Sequence, residues 1–262
     1  MEFKNCVTWQ EIIQQPSIWR EELEIVKNNL KSIGAFIEKV QGKKVKVVFT
    51  GAGSSEFVGN TLCSYVNSKV DIDVLSVPTT DIVSMPEQYL EADTATILVS
   101  CARSGNSPES VATVNLADKL VKNIYHIFIT CNPEGHLAKI SKEGDNKYLL
   151  LMPEKTNDKG FAMTGSFSSM DSNQVLPMLC IHIRQNIYPS SDCNDFDTFR
   201  IVSSQRQFIS TDRDLDRITE RCHFTNVDLA VFGNAHIHDS AAECALSVDL
   251  HNFNRCMYLN FT

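Results

Sequence analysis

The sequence has no long apolar run. Its best, Tyr148–Met152, is about five residues, and a helix that crosses a bilayer needs about 20. It has no basic surplus either: 24 Lys and Arg stand against 32 Asp and Glu, for a net charge of −8. Proteins that hold nucleic acid usually show the opposite balance. Neither a membrane nor a nucleic acid is therefore an expected partner. The nine cysteines are odd in number and contain no Cys-x-x-Cys pair. This argues against a disulfide framework or a zinc knuckle, and for the reduced thiols of a cytoplasmic protein, most of them small apolar filler. No cluster of His and Cys at ligand spacing stands out, so no metal or other cofactor is expected. The start, Met1-Glu2-Phe3-Lys4-Asn5, lacks a cationic stretch followed by an apolar one and predicts no secretory leader. What the chain does have is apolar content, 43% of 262 residues, enough for a real core in one large domain or two small ones.

Pro16 opens a helical pattern in which Trp19, Leu23, Val26, Leu30, Ile33, Ile37 and Val40 recur at steps of four and three. Arg20, Glu21, Glu22, Lys27 and Lys31 fall off that face, which suits a helix packed on a core or shared with a second subunit. From Lys43 the texture changes. Val45–Thr50, Ile72–Val77, Thr96–Cys101, Ile124–Thr130 and Tyr148–Leu151 read as buried strands. Helical segments lie between them, one carrying Val58, Leu62, Tyr65 and Val66 and another Val111, Val114, Ala117, Leu120 and Val121. Strand and helix in alternation predict a doubly wound α/β fold, a parallel sheet with helices on both faces. The organisation expected is an N-terminal helical segment over 1–40, a sheet domain over 41–190, a helical linker over 191–226 and the start of a second domain over 227–262.

Ligands gather at the carboxyl ends of the strands in such a sheet. Two turns there carry candidate chemistry. Thr50-Gly51-Ala52-Gly53-Ser54-Ser55-Glu56 has two glycines of a dinucleotide fingerprint, but Glu56 stands in the third place and would repel a pyrophosphate. A P-loop is excluded because no Gly-Lys-Ser/Thr follows. In Arg103-Ser104-Gly105-Asn106-Ser107-Pro108, Gly105 allows a tight turn and Pro108 suits a first helical turn. Hydroxyls of Ser104 and Ser107 at a helix start make a cradle for a dianion, to which Arg103 adds charge. The same Ser107, with Ser110 three residues on, also reads as an ordinary N-cap.

The runs Ser104–Ser110 and Gly51–Ser55 resemble those of the sugar isomerase (SIS) domain, a flavodoxin-like three-layer α/β sandwich that binds phosphosugars. More narrowly, Val77–Asp81, Arg103–Ser110, Thr130–Asn132 and Gly160–Thr164 resemble the family of tagatose-6-phosphate ketose/aldose isomerases, also described as galactosamine-6-phosphate deaminase/isomerases. The resemblance covers most of residues 8–190. It implies a hexose or hexosamine phosphate ligand, a homodimer, and a phosphate seated among Ser54, Ser55, Ser104 and Ser107 with Thr164 near. The binding set so expected is Gly53, Ser54, Ser55, Arg103, Ser104, Gly105, Asn106, Ser107 and Thr164. Ala102 departs from the family's usual glycine.

Family members carry two SIS domains, and Val227–Leu250 resembles the opening of the second. Glu243 fits a glutamate of that opening helix and is the expected catalytic carboxylate. Ser247 replaces the family's lysine, Leu250 falls where a second glutamate stands, and the family's His-Gly-Pro stretch is missing, as in a truncated second domain. His236 and His238 are the nearest histidines, and Glu56 is a further carboxylate beside the first turn. Aldose–ketose isomerisation moves a proton between C1 and C2 through a carboxylate, and an amino group at C2 leaves as ammonia when the imine is hydrolysed. Three readings stay open: a phosphosugar isomerase or deaminase, a sugar-phosphate-binding module without turnover, and an inactive truncated family member.

Overall fold

The computed structural model describes residues 6–40, 44–67 and 72–170, all within one compact unit. The expected linker, the expected second-domain start, Glu243, His236 and His238 lie outside the described residues, as do the side chains of Leu62, Tyr65 and Val66. Five strands form the sheet: β1 (Val45–Gly51), β2 (Asp73–Pro78), β3 (Ala95–Ala102), β4 (Ile124–Thr130) and β5 (Lys147–Leu151). Their order is β2-β1-β3-β4-β5, and every pairing is parallel. Each expected strand is present, with β2 displaced by one residue. The strands expected to be buried on both faces sort by place: β1 and β3, central, are buried at every position, whereas the edge strands β2 and β5 are only partly so.

Helices cover both faces. On one lie α1 (Val7–Ile37), α2 (Ser54–Asn67) and α7 (Gly165–Met170). On the other lie α3 (Thr79–Ser84), α5 (Pro108–Leu120) and α6 (His136–Ile140), with the single turn α4 (Pro86–Tyr89) beside α3. Val48 and Leu98 from the sheet pack with Ile82, Ala117 and Val121 on this second side. Burying a Val, Leu or Ile side chain contributes about 1.5–3 kcal/mol each. On the first side α2 lies very close to the sheet. A β-carbon on Gly59 would come within 2.7 Å of the Phe49 β-carbon and 2.5 Å of the Ser76 hydroxyl. Close helix–strand packing is the task of the third glycine in the dinucleotide fingerprint. Here Gly59 performs it, three residues beyond Glu56.

α1 departs from the sequence expectation twice. It begins at Val7 rather than Pro16, so Pro16 sits inside the helix. Proline has no N–H to give the carbonyl four residues back. The Gln15 side chain donates to that carbonyl, Ile12 O, at 3.2 Å and restores the lost bond. The buried stripe is also rotated: it runs through Glu11, Gln15, Ile18, Glu22, Val26, Ile33 and Ile37, and Glu22, expected toward solvent, is fully buried. The N-terminal half of α1 packs on a polar loop whose amides need acceptors. Its C-terminal half meets aromatic rings, with Phe36 against Tyr125 and Tyr148. The helix is thus packed on the core of its own domain.

Candidate functional site

In the order β2-β1-β3-β4-β5 the winding direction reverses between β1 and β3, and the crevice at that reversal is where open α/β sheets bind ligands. Both candidate turns leave the sheet there. Gly51 is registered with Cys101, so the chain segments that follow emerge side by side.

The β1 turn is shaped by two glycines. A β-carbon on Gly51 would sit 2.5 Å from the Ser55 carbonyl carbon and 2.7 Å from Glu56 N, so the strand abuts the first turn of α2. Gly53 has φ +57°, which favours glycine. The turn delivers Ser54, exposed, and Ser55, buried, at the start of α2. The Ser55 hydroxyl donates to Met163 Sδ at 3.8 Å. Glu56 lies in the first helical turn, where its carboxylate suits the dipole, and accepts from Asn60 Nδ2 at 3.1 Å.

The β3 turn rests on the loop after β4. Arg103 O accepts from Cys131 N and Thr130 Oγ1, each at 3.3 Å. Ser104 O accepts from Asn132 Nδ2 at 3.2 Å, and Gly105 O from Leu137 N at 3.1 Å. Three successive carbonyl oxygens are thereby held on protein donors, away from an approaching anion. Gly105 has φ +65°, and a β-carbon on Gly135 would run into Ser104 O. Asn106 accepts from His136 N at 2.8 Å and so caps α6 from a distance, while its own N–H donates to Ser104 Oγ at 3.3 Å.

Ser107 is the N-cap of α5 with Pro108 in the first turn, as the sequence suggested. Its oxygen accepts from Ser110 N at 3.4 Å, and its hydroxyl donates to Ser110 Oγ at 2.6 Å. A hydroxyl offers one donor and two lone pairs. The cap uses a lone pair, and the proton can turn from Ser110 to an anion without undoing it. Capping and anion binding are therefore compatible at this residue.

The third side of the crevice is a segment whose anchors sequence reasoning missed. Asp158, nearly buried, accepts from Thr164 N (2.8 Å), Thr164 Oγ1 (2.9 Å), Gly165 N (3.2 Å), Ser166 N (2.9 Å) and Ser166 Oγ (2.6 Å). It starts α7 as a carboxylate cap. Thr164, expected near the phosphate, is buried with its hydroxyl committed to Asp158. Arg103 donates from Nη1 to Gly160 O at 3.3 Å. The readable signal for Asp158 was its place six residues before Thr164 at the start of a Ser/Thr-rich run.

Cys131, at the tip of β4, is buried, and its thiol is pushed up to about 12, chiefly by that burial. A nearby Asp158 and Glu22 push the same way, against a Thr156 hydrogen bond and Arg103. It is a core thiol, not a nucleophile. No group of His, Cys, Asp and Glu among the described residues is arranged to hold a metal ion, and no helix among them is long and apolar enough to cross a membrane.

A family model described as the SIS domain matches residues 40–173. D-galactosamine-6-phosphate deaminase AgaS of Shewanella sp. (strain ANA-3) is 39% identical over 193 residues, covering 69% of this chain and 50% of that protein. The protein of the same name from Escherichia coli is 40% identical over 166 residues, 62% of this chain and 43% of that one. The crystal structure of tagatose-6-phosphate ketose/aldose isomerase from Escherichia coli superposes with a TM-score of 0.64 at 37% identity, covering 67% of this chain and 48% of that one. The chain spans about half the length of the curated relatives it matches.

Proposed function

The chain belongs to the SIS-domain family, and from that premise we propose that it binds the phosphate of a hexose or hexosamine phosphate at the tips of β1 and β3 and takes part in that sugar's isomerisation or deamination. One observation carries the reading: two glycine turns flank the reversal of winding, each opening a helix with serine, and the second has its carbonyls bound away from the crevice. Donors and helix dipoles together favour a dianion at such a place. Ser54, Ser104 and Ser107 supply hydroxyls, Gly53 and Gly105 the turn geometry, and Arg103 positive charge. Ser55 and Thr164 back the site through Met163 and Asp158.

The substrate class follows the relatives, which are named for galactosamine 6-phosphate and tagatose 6-phosphate. Holding the remote phosphate registers the sugar's C1–C2 end and reduces the entropy lost at the reacting atoms. A carboxylate takes the proton from C2 and returns it to C1. For an amino sugar the resulting ketimine takes up water and releases ammonia, leaving the ketose. Glu243 is the carboxylate we assign to that transfer. The linker over 191–226, the second-domain start over 227–262, a homodimer and a cytoplasmic setting complete the reading.

Calorimetry of the full chain with galactosamine 6-phosphate tests the binding. We expect a saturable heat that disappears in the Ser104→Ala, Ser107→Ala double variant. No heat with the native chain overturns the reading. Release of ammonia and ketose from the same mixture separates turnover from binding alone.

A further inference from the structure

Gly160 is gripped on both sides by opposite charges, through its N–H and through its carbonyl. Its N–H donates to Glu11 Oε1 at 3.0 Å, alongside the N–H of Lys159 at 2.6 Å. Its carbonyl accepts from Arg103 Nη1 at 3.3 Å. Glu11 is only 6% exposed although it lies near the start of α1. Space at Gly160 is exhausted: a β-carbon there would lie 2.6 Å from Glu11 Oε2 and 3.0 Å from Thr8 Oγ1. A carboxylate on the first helix is thus joined through one residue to a guanidinium in the β3 turn, more than ninety positions along the chain. Beyond the grip, Phe161 is fully exposed, and Met163 returns to meet Ser55.

We propose that Glu11 is a positioning residue for the anion site, acting through Gly160 to fix the Arg103 guanidinium beside the β3 turn. The inference rests on the phosphate-site reading above. Arginine has five N–H donors in a rigid fork. One of them, held on Gly160 O, fixes the plane of the fork and leaves the others to face an anion in a single orientation. Without Glu11 the 159–161 strap loses both of its anchored amides. Its carbonyl then no longer defines where Arg103 points. Charge at the site would persist, and aim would be lost. Both carboxylate oxygens already accept from amides, those of Lys159 and Gly160, and hold the strap.

The test is a double-mutant cycle on the full chain, with affinity for galactosamine 6-phosphate read by calorimetry and folding read by thermal melting. Glu11→Ala should weaken binding about tenfold, the scale of one hydrogen bond to a charged group. Arg103→Ala should weaken it by a similar factor, and the double variant no further than the worse single, because both act on one contact. Glu11→Gln keeps an acceptor oxygen for the two amides and should restore most of the affinity. Gly160→Ala breaks the same grip from the loop side and serves if Glu11→Ala does not fold. A merely structural Glu11 would lower the melting temperature and leave the affinities of folded variants additive. Additive losses, or native affinity in folded Glu11→Ala or Gly160→Ala, overturn the proposal while the phosphate reading stands. A native chain that binds no galactosamine 6-phosphate overturns both.

Discussion

Ser107 serves the helix and the proposed ligand with a single oxygen. Its lone pair closes the start of α5 on Ser110 N, and its proton rests on Ser110 Oγ. Ser107→Ala therefore loses both functions. We expect a stability loss of about 1 kcal/mol from the cap, read by urea denaturation, together with weakened sugar-phosphate binding. Ser107→Asp, which keeps a capping acceptor but has no proton to give at neutral pH, should retain the stability and lose the binding. The residues of this turn were legible because their types are few and their spacing is tight. Glu11 and Asp158 were not. Each is one carboxylate in an unremarkable setting, and what makes it matter is a set of amides over 140 residues away for Glu11 and six to eight residues on for Asp158. Sequence periodicity reports which face of a helix is apolar, and it is blind to a buried face built from polar contacts.

At the scale of elements, the five strands could be read from their apolar runs, and the central ones best, because burial on both sides gives near-continuous apolar runs broken by Lys46 and Thr50 in β1 and by Thr96 and Ser100 in β3. The short helices α3, α4 and α6 carry too few turns for any periodicity to show. α1 was misjudged at its start for a definite reason. Proline is expected in a first turn, and here it is tolerated ten residues into the helix because Gln15 answers the carbonyl it strands. Pro16→Ala should stabilise the protein, since proline inside a helix costs up to about 3 kcal/mol, with the gain reduced by the repair Gln15 already makes. Gln15→Leu in the native background should destabilise it, and the same change beside Pro16→Ala should cost less. Melting temperatures of the four chains check this.

At the scale of the whole described domain, another charged group ties α5 to the far end of the sheet. Asp118 on α5 meets His126 Nε2 from β4 at 2.9 Å and Lys147 Nζ from β5 at 3.3 Å. The His126 hydrogen bond first, and the charges of His126 and Lys147 with it, hold the Asp118 carboxyl below its ordinary value of 3.8. A depressed carboxyl contributes stability that is fully present above that ordinary value and is lost as pH falls through the lower folded one. Native protein should therefore lose stability on acidification from pH 5 toward pH 2, in urea titrations, more steeply than Asp118→Asn. Parallel curves for the two would contradict the assignment. The sheet order has a further consequence for how the chain is made. Among the described residues β1 is both the first strand in chain order and an interior one. The sheet must grow outward from it, first toward β2 and then through β3 to β5. A nascent chain on the ribosome thus finishes the floor of the crevice at Ser107 well before it emits Gly160, and α1 waits throughout for the strap that Glu11 will catch.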